Sequence, residues 1–321
     1  MPWRADAANL FPAESSLLTL QGESAIQNDL SPTSLLDDPM IQVGLAPLAV
    51  AFGLAAFIRV IGGPERGPRL MGIAAIAGFL LAYALFEGVP MFPPPAAKQK
   101  LFYLVILGAA AGFALDMTGR PAGLQRSARM ILPGLALLWL AWRQLAAGVA
   151  LAELATLAAL WGGGALALWR LERAETESGG LSAAVMLIVA ALTVAGIASL
   201  GASLTLALLA VALAAAAGGV ALWGYGIWLI KATRGPFGAT TLFGGGGALL
   251  ALAYILTLFT PQASRAALVV VLLVFFADLA AGRIRLGNAL RSRMLGPVLF
   301  AALAAVPALA AIGVASVGAG P

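Results

Sequence analysis

Apolar residues dominate the chain from residue 41 onward, and short polar loops divide them into runs. Most runs are close to the roughly 20 residues that an α-helix needs to cross the hydrocarbon core of a bilayer. The pattern therefore predicts an all-α, polytopic membrane protein with about ten transmembrane helices. These helices are expected at residues 41–61, 70–87, 101–117, 130–146, 149–169, 181–200, 204–230, 240–259, 264–281 and 294–317.

The count of ten depends on one break in the middle of the chain. Arg143 and Gln144 interrupt a nearly continuous apolar stretch, so we expect a turn near residues 143–149 that separates the fourth and fifth helices. Without this turn, every later loop would change sides of the membrane, which would scramble the distribution of loop charges.

Composition supports the membrane class and restricts the chemistry. The chain is 61% hydrophobic and 10% charged, with a mean hydropathy of +0.97, whereas soluble domains carry roughly 25% charged residues. It has no cysteine and no histidine, which excludes disulfides, thiolate nucleophiles, His-ligated metals and Ser-His-Asp catalysis. We therefore assign no catalytic or metal-ligating residue and expect no cofactor.

The basic residues of the loops predict the orientation in the membrane. If successive loops lie on alternate sides, 14 of the 19 Lys and Arg residues fall on one side, which the positive-inside rule makes cytoplasmic. Both termini are then extracytoplasmic. Topology thus explains the net charge of +5, and membrane lipids rather than nucleic acid are the expected partner. The excess of Arg over Lys suggests a GC-rich genome and a bacterial cytoplasmic (inner) membrane.

Residues 1–39 form the only long polar segment. They include Arg4 and six acidic residues and lack the basic start and apolar run of a signal peptide, so we predict a flexible, acidic, extracytoplasmic tail. An alternative is that translation begins at Met40, directly before the first apolar run.

An internal duplication organises the rest of the chain. Residues 101–130 and 264–294 share an apolar run, an aspartate, a Gly-Arg pair, an Arg-Ser cluster and a methionine, at an offset of 162 to 164 residues. The copies are six crossings apart, which predicts parallel repeats about an axis along the membrane normal. Chance similarity between apolar helices is the alternative. The predicted units are a first repeat at 40–148 (helices 1–4), a central helix pair at 149–203 (helices 5–6) and a second repeat at 204–321 (helices 7–10).

The duplicated aspartates, Asp116 and Asp278, are the main candidate site residues. Both are predicted near the cytoplasmic ends of their helices, where the helix dipole disfavours negative charge, so each needs a partner. One interpretation is a local ion pair with Arg120 or Arg283, four and five residues further along the chain. The other is a pair of sites on a shared cavity that bind a cation, a proton or a polar head group.

Other charges and one glycine run complete the candidates. The Arg-Ser clusters act either as positive-inside anchors or as contacts to lipid phosphates. Charges predicted at the outer helix ends include a pair expected to meet across the turn at 143–149. The glycine run at 244–247 permits close helix packing or a break of the kind found in transporters. The cluster residues are Arg126, Arg129, Arg291 and Arg293, and the outer-end charges are Glu87, Arg143 and Glu153, of which the last two are the expected pair.

Three classes of function fit these features. A transporter or lipid-handling permease explains the duplicated bundle and the glycine-rich helices, and we favour it. A non-catalytic subunit of a membrane complex fits the sparse polar chemistry. An enzyme acting on lipid-linked substrates would need clustered acids for a metal and phosphate, and the only acidic doublet, Asp37-Asp38, lies in the tail. The substrate is expected to be a small molecule or a lipid.

Overall fold

The apolar runs form helices because a bilayer leaves backbone N–H and C=O groups no partner except each other. The structure is a computed structural model that describes residues 38, 40–119, 121–178, 181–231, 237–283 and 295–318, without the side chains of residues 64–66, 69, 178, 231 and 282. In chain order the helices are α1 (Ile41–Leu45 and Ala46–Leu70), α2 (Gly72–Glu87), α3 (Ala97–Met117), α4 (Ala122–Ala146), α5 (Leu151–Ser178), α6 (Leu181–Leu200), α7 (Leu204–Lys231), α8 (Thr241–Gly246 and Gly247–Phe259), α9 (Arg265–Val271, Leu272–Phe276 and Ala277–Arg283) and α10 (Gly296–Gly318).

Among the described residues, seven helices are long and apolar enough to cross a membrane. These belong to α1, α3, α5, α6, α7, α8 and α10, and they establish a multi-pass membrane protein. The remaining helices depart from a simple span. α2 has only 16 residues, α4 is amphipathic and carries arginines at both ends, and α9 is divided into three segments. Ten spans and the internal repeat therefore stay predictions.

The predicted turn between the fourth and fifth helices is confirmed. α4 ends at Ala146 and α5 begins at Leu151. Gly148 lies between them with a φ of 88°, a left-handed conformation that costs glycine little because it has no side chain.

The centre of the bundle consists of α6, α7 and α8. In the most apolar 18-residue stretch of each helix, 61%, 67% and 78% of the residues are buried inside the protein. The corresponding values for the other four apolar helices are 22–33%. α7 packs on α1, α2 and α6, while α6 also contacts α10, and α8 contacts α3 and α4. α8 is therefore the helix with the least access to lipid.

Glycines allow the first turn of α8 to pack closely against α2 and α3. A Cβ added at Gly112 would lie 2.6 Å from the Thr240 Cα, and one added at Gly72 would lie 2.8 Å from the Thr241 backbone N. Gly108, one turn before Gly112, faces the Phe243 carbonyl in the same way. Small residues at helix contacts are the usual means by which backbones approach in membranes.

We expect Gly112→Ala to lower the free energy of unfolding by about 1–3 kcal/mol, because the added methyl group meets backbone atoms that cannot move aside. Thermal unfolding of the purified protein in detergent measures this loss. Gly53→Ala on α1 is the matched control, since its Cβ would have no atom within 4 Å. Equal stabilities of the two variants would contradict close packing between α3 and α8.

Candidate functional site

Three polar contacts join five helices at one end of the bundle. Asp116 at the end of α3 contacts the start of α8, Arg129 near the start of α4 binds Glu172 of α5, and Arg170 of α5 binds Asp278 of α9. We call Asp116, Arg129, Arg170, Glu172 and Asp278 the charged end. All five lie in helix segments that the loop charges predict to be cytoplasmic.

Asp116 caps the first turn of α8. Its side chain is buried, and its carboxylate accepts hydrogen bonds from the Ala239 backbone N at 3.1 Å, the Thr240 backbone N at 2.9 Å and the Thr240 Oγ1 at 2.7 Å. The unpaired N–H groups and the positive dipole at a helix start both favour a carboxylate. The carboxylate of Asp116 thus has hydrogen-bond partners that lie up to 124 residues later in the chain. Arg120, the local partner suggested by the sequence, lies outside the described residues.

Asp278 forms its ion pair with Arg170 of α5, 108 residues earlier, and not with the nearby Arg283, which is exposed. The local interpretation is therefore wrong for this aspartate. Helix geometry explains the difference: five residues turn the chain through roughly 500°, so Arg283 projects about 140° away from Asp278.

Arg170 is only 2% exposed and has several partners. Its Nε donates to the Phe275 carbonyl at 3.1 Å, and its guanidinium lies 4.8 Å from the Phe276 ring centroid. The second carboxylate oxygen of Asp278 is buried and has no hydrogen-bond partner among the described residues.

The sequence contained a signal that Arg170 is buried, which the assignment of basic residues to loops did not take into account. Ala167, Leu168, Leu171 and Ala174 are all buried, and their three- and four-residue spacing continues the buried face of α5 past the arginine. Arg170 lies three residues after Ala167 and four before Ala174, hence on that face. A base inside such a pattern indicates a buried ion pair rather than a loop.

The candidate charges at the outer end tie helix ends to each other or to their own backbone. Glu87 at the end of α2 binds Lys98 of α3 at 2.6 Å. The Glu153 carboxylate accepts from the Ala150 backbone N at 3.1 Å and so caps α5. This contact replaces the expected pair with Arg143, which is exposed.

Of the remaining basic candidates, one is described by the structure and two are not. Arg126 is exposed near the start of α4, as an anchor or a lipid contact would be. Arg291 and Arg293 lie outside the described residues, as do residues 1–37 of the predicted tail.

Two apolar cavities lie beside the charged end. The first, of about 470 Å³, is bordered by α3, α4, α5 and α8, and its walls include Gly108, Ala111, Pro133, Trp139 and Phe243. The second, of about 450 Å³, lies between α4 and α5. Neither cavity is lined by Asp116 or Asp278. Within the described residues, no three His, Cys, Asp or Glu side chains are grouped so that they could hold a metal ion.

Comparisons with known proteins assign no family to the chain. No protein-family model matches it, and no curated protein sequence matches it. The function is therefore inferred from the arrangement of the cavities and the charged end within a multi-pass membrane protein.

We expect Arg170→Met to destabilise the protein by about 3–5 kcal/mol, because it leaves the Asp278 carboxylate buried without its counter-charge. The double variant Arg170→Met/Asp278→Leu should recover part of this loss, since no charge then stays unpaired. Thermal unfolding of the single and double variants in detergent forms the cycle.

Arg173 and Glu177 are the control pair for this cycle. They form an exposed ion pair four residues apart on α5, whose removal should cost less than about 1 kcal/mol. Additive losses for Arg170 and Asp278 would show that the buried pair does not stabilise the folded protein.

We expect Asp116→Ala to lower stability by about 2–4 kcal/mol, because three donors at the buried start of α8 lose a charged acceptor. Glu153→Ala is the control, since it removes an exposed cap and should cost about 1 kcal/mol. Melting of the two variants in the same detergent gives the comparison, and a smaller loss for Asp116→Ala would refute the capping role.

Proposed function

We propose that this protein is a permease-type membrane protein that binds and moves an amphiphilic or lipid-like substrate. The observation that carries the proposal is the first cavity, which four helices border and which opens to the surface of the bundle at the exposed Leu107 and Leu135. Its volume of about 470 Å³ falls within the roughly 300–1,000 Å³ of small-molecule sites. A cavity of this size in a multi-pass membrane protein supports a role in binding and moving a solute or a lipid.

The cavity walls favour an apolar substrate moiety. None of the residues that line the cavity is charged, so an ion placed there would lose its hydration without compensation. Gly247 leaves space where another residue would place a side chain, since a Cβ added there would have no atom within 4 Å, and Pro133 of α4 contributes another wall. An acyl chain or another apolar group therefore fits the interior better than a sugar or an amino acid does.

The irregular first turn of α8 supports a transport role. Thr241–Gly246 forms a π-helical turn that is buried throughout and borders the cavity at Phe243. Such turns occur frequently at functional sites, and interrupted helices line the substrate sites of many transporters.

In this proposal the two aspartates have different roles. Asp116 holds α8 against α3 beside the cavity. Asp278 is the better candidate for a coupling proton or cation, or for a polar substrate group, because its second carboxylate oxygen has no partner among the described residues. Arg120 and Arg283, the neighbouring arginines in the sequence, are further candidates to bind a polar group, and the exposed position of Arg283 is compatible with a contact at the membrane surface.

We expect Ala111→Phe to fill the cavity and to reduce the amount of small molecule or lipid that the protein retains by about tenfold. Native mass spectrometry of protein released gently from its membrane gives the readout. Ala110→Phe is the matched control, because Ala110 precedes Ala111 on α3 but is exposed and does not line the cavity.

Equal retention by the two variants would contradict a substrate cavity. A stoichiometric partner protein with no retained ligand would instead favour a non-catalytic subunit of a membrane complex.

A further inference from the structure

The second cavity is an open groove between α4 and α5, which we call the α4–α5 groove. It is lined by Arg129, Met130, Trp161, Gly162, Ala165, Leu166 and Trp169 and has a volume of about 450 Å³. We propose that this groove binds one anionic phospholipid of the bilayer, with an acyl chain along its apolar walls and the phosphate at Arg129.

The floor of the groove consists of small residues of α5 between two tryptophans. Gly162 and Ala165 leave a channel, and Trp161 and Trp169 border it at either end of two helical turns. Trp161 is held in place because its indole N–H donates to the Met130 carbonyl at 2.8 Å. Since this bond satisfies the indole, Arg129 is the residue that supplies polar groups to a ligand.

Arg129 has an unused hydrogen-bond donor. Its side chain is 11% exposed, and its Nη1 donates to Glu172 at 2.6 Å. The Nε atom is buried and has no hydrogen-bond partner among the described residues, so a bound phosphate reaches it once the side chain turns toward the groove. A buried donor left unsatisfied on a charged group is costly, and a phosphate oxygen is a strong acceptor for a guanidinium.

The position of the groove favours a membrane lipid as the source of the phosphate. Arg129 belongs to the charged end, which the loop charges predict to be cytoplasmic, and the cytoplasmic leaflet is rich in anionic lipids. The groove is open along its side and apolar along its length, so it complements a chain as well as a head group. A free phosphate ion would contact only Arg129, whereas a phospholipid also occupies the apolar length of the groove.

This site does not depend on transport. It lies between α4 and α5, shares no lining residue with the first cavity, and would retain its lipid in a non-catalytic subunit as well as in a permease.

The test is a lipid titration of the delipidated full-length protein in detergent, followed by native mass spectrometry. Phosphatidylglycerol and phosphatidylcholine with identical acyl chains are compared by the dissociation constant of the first bound lipid. We expect phosphatidylglycerol to bind about tenfold more tightly, and Arg129→Gln to abolish that preference. Arg126→Gln, the same change of charge one turn earlier on an exposed side chain, should change it less than twofold.

A second variant keeps the Arg129–Glu172 ion pair and blocks the chain instead of the head group. A Cβ added at Gly162 has no atom within 4 Å, so Gly162→Leu directs its side chain from open space into the groove and should weaken phosphatidylglycerol binding about tenfold. Ala159→Leu, exposed on the same helix and outside the groove, is its control. Ala111→Phe should leave this binding unchanged, which separates the groove from the proposed substrate cavity.

Several results would overturn the proposal. Equal effects of Arg126→Gln and Arg129→Gln would mean that diffuse surface charge attracts the lipid. Equal binding of the two lipids to the wild-type protein, or undiminished binding to Gly162→Leu, would mean that the groove holds no specific lipid.

Discussion

The contact between the Asp116 carboxylate and the first turn of α8 is the interaction on which the bundle depends most. A helix that starts inside a protein in a membrane has unpaired N–H groups and no water to satisfy them. Asp116 supplies the acceptors from α3, and the glycines at 112 and 108, one and two turns before it, let the two backbones approach. The most buried helix therefore starts at a fixed position, and the cavity beside Phe243 takes its shape from that position.

The buried Arg170–Asp278 pair has a similar effect on α5 and α9. It joins α5 to α9 where α9 changes from a 3-10 segment to an α-helix, and the Phe275 carbonyl at that point accepts a hydrogen bond from Arg170. Charges are few in this chain, and those described near the cavities tie helices together. Their removal should consequently change stability as well as any activity, so the two effects have to be measured separately.

The two cavities point to amphiphilic ligands for different reasons. The first cavity has no charged lining residue and suits an apolar group. The α4–α5 groove places a single arginine at one end of an apolar channel and suits a chain with an anionic head group. Both cavities are lined by residues of α4, which is amphipathic and has arginines at each end and an apolar middle. The proposed ligands of both cavities therefore share an apolar part that packs against α4.

Hydropathy by itself located the helices, the turn between α4 and α5 and the membrane class, because runs of about 20 apolar residues have few alternatives to a helix in a bilayer. The partners of the charges were decided by tertiary structure alone. Asp116 and Asp278 occupy matching positions in the predicted repeat, yet one caps α8 and the other pairs with α5. For Asp278 the sequence suggested Arg283, five residues away, but the carboxylate pairs with the guanidinium that packing brings within reach, and this comes from α5, 108 residues earlier in the chain.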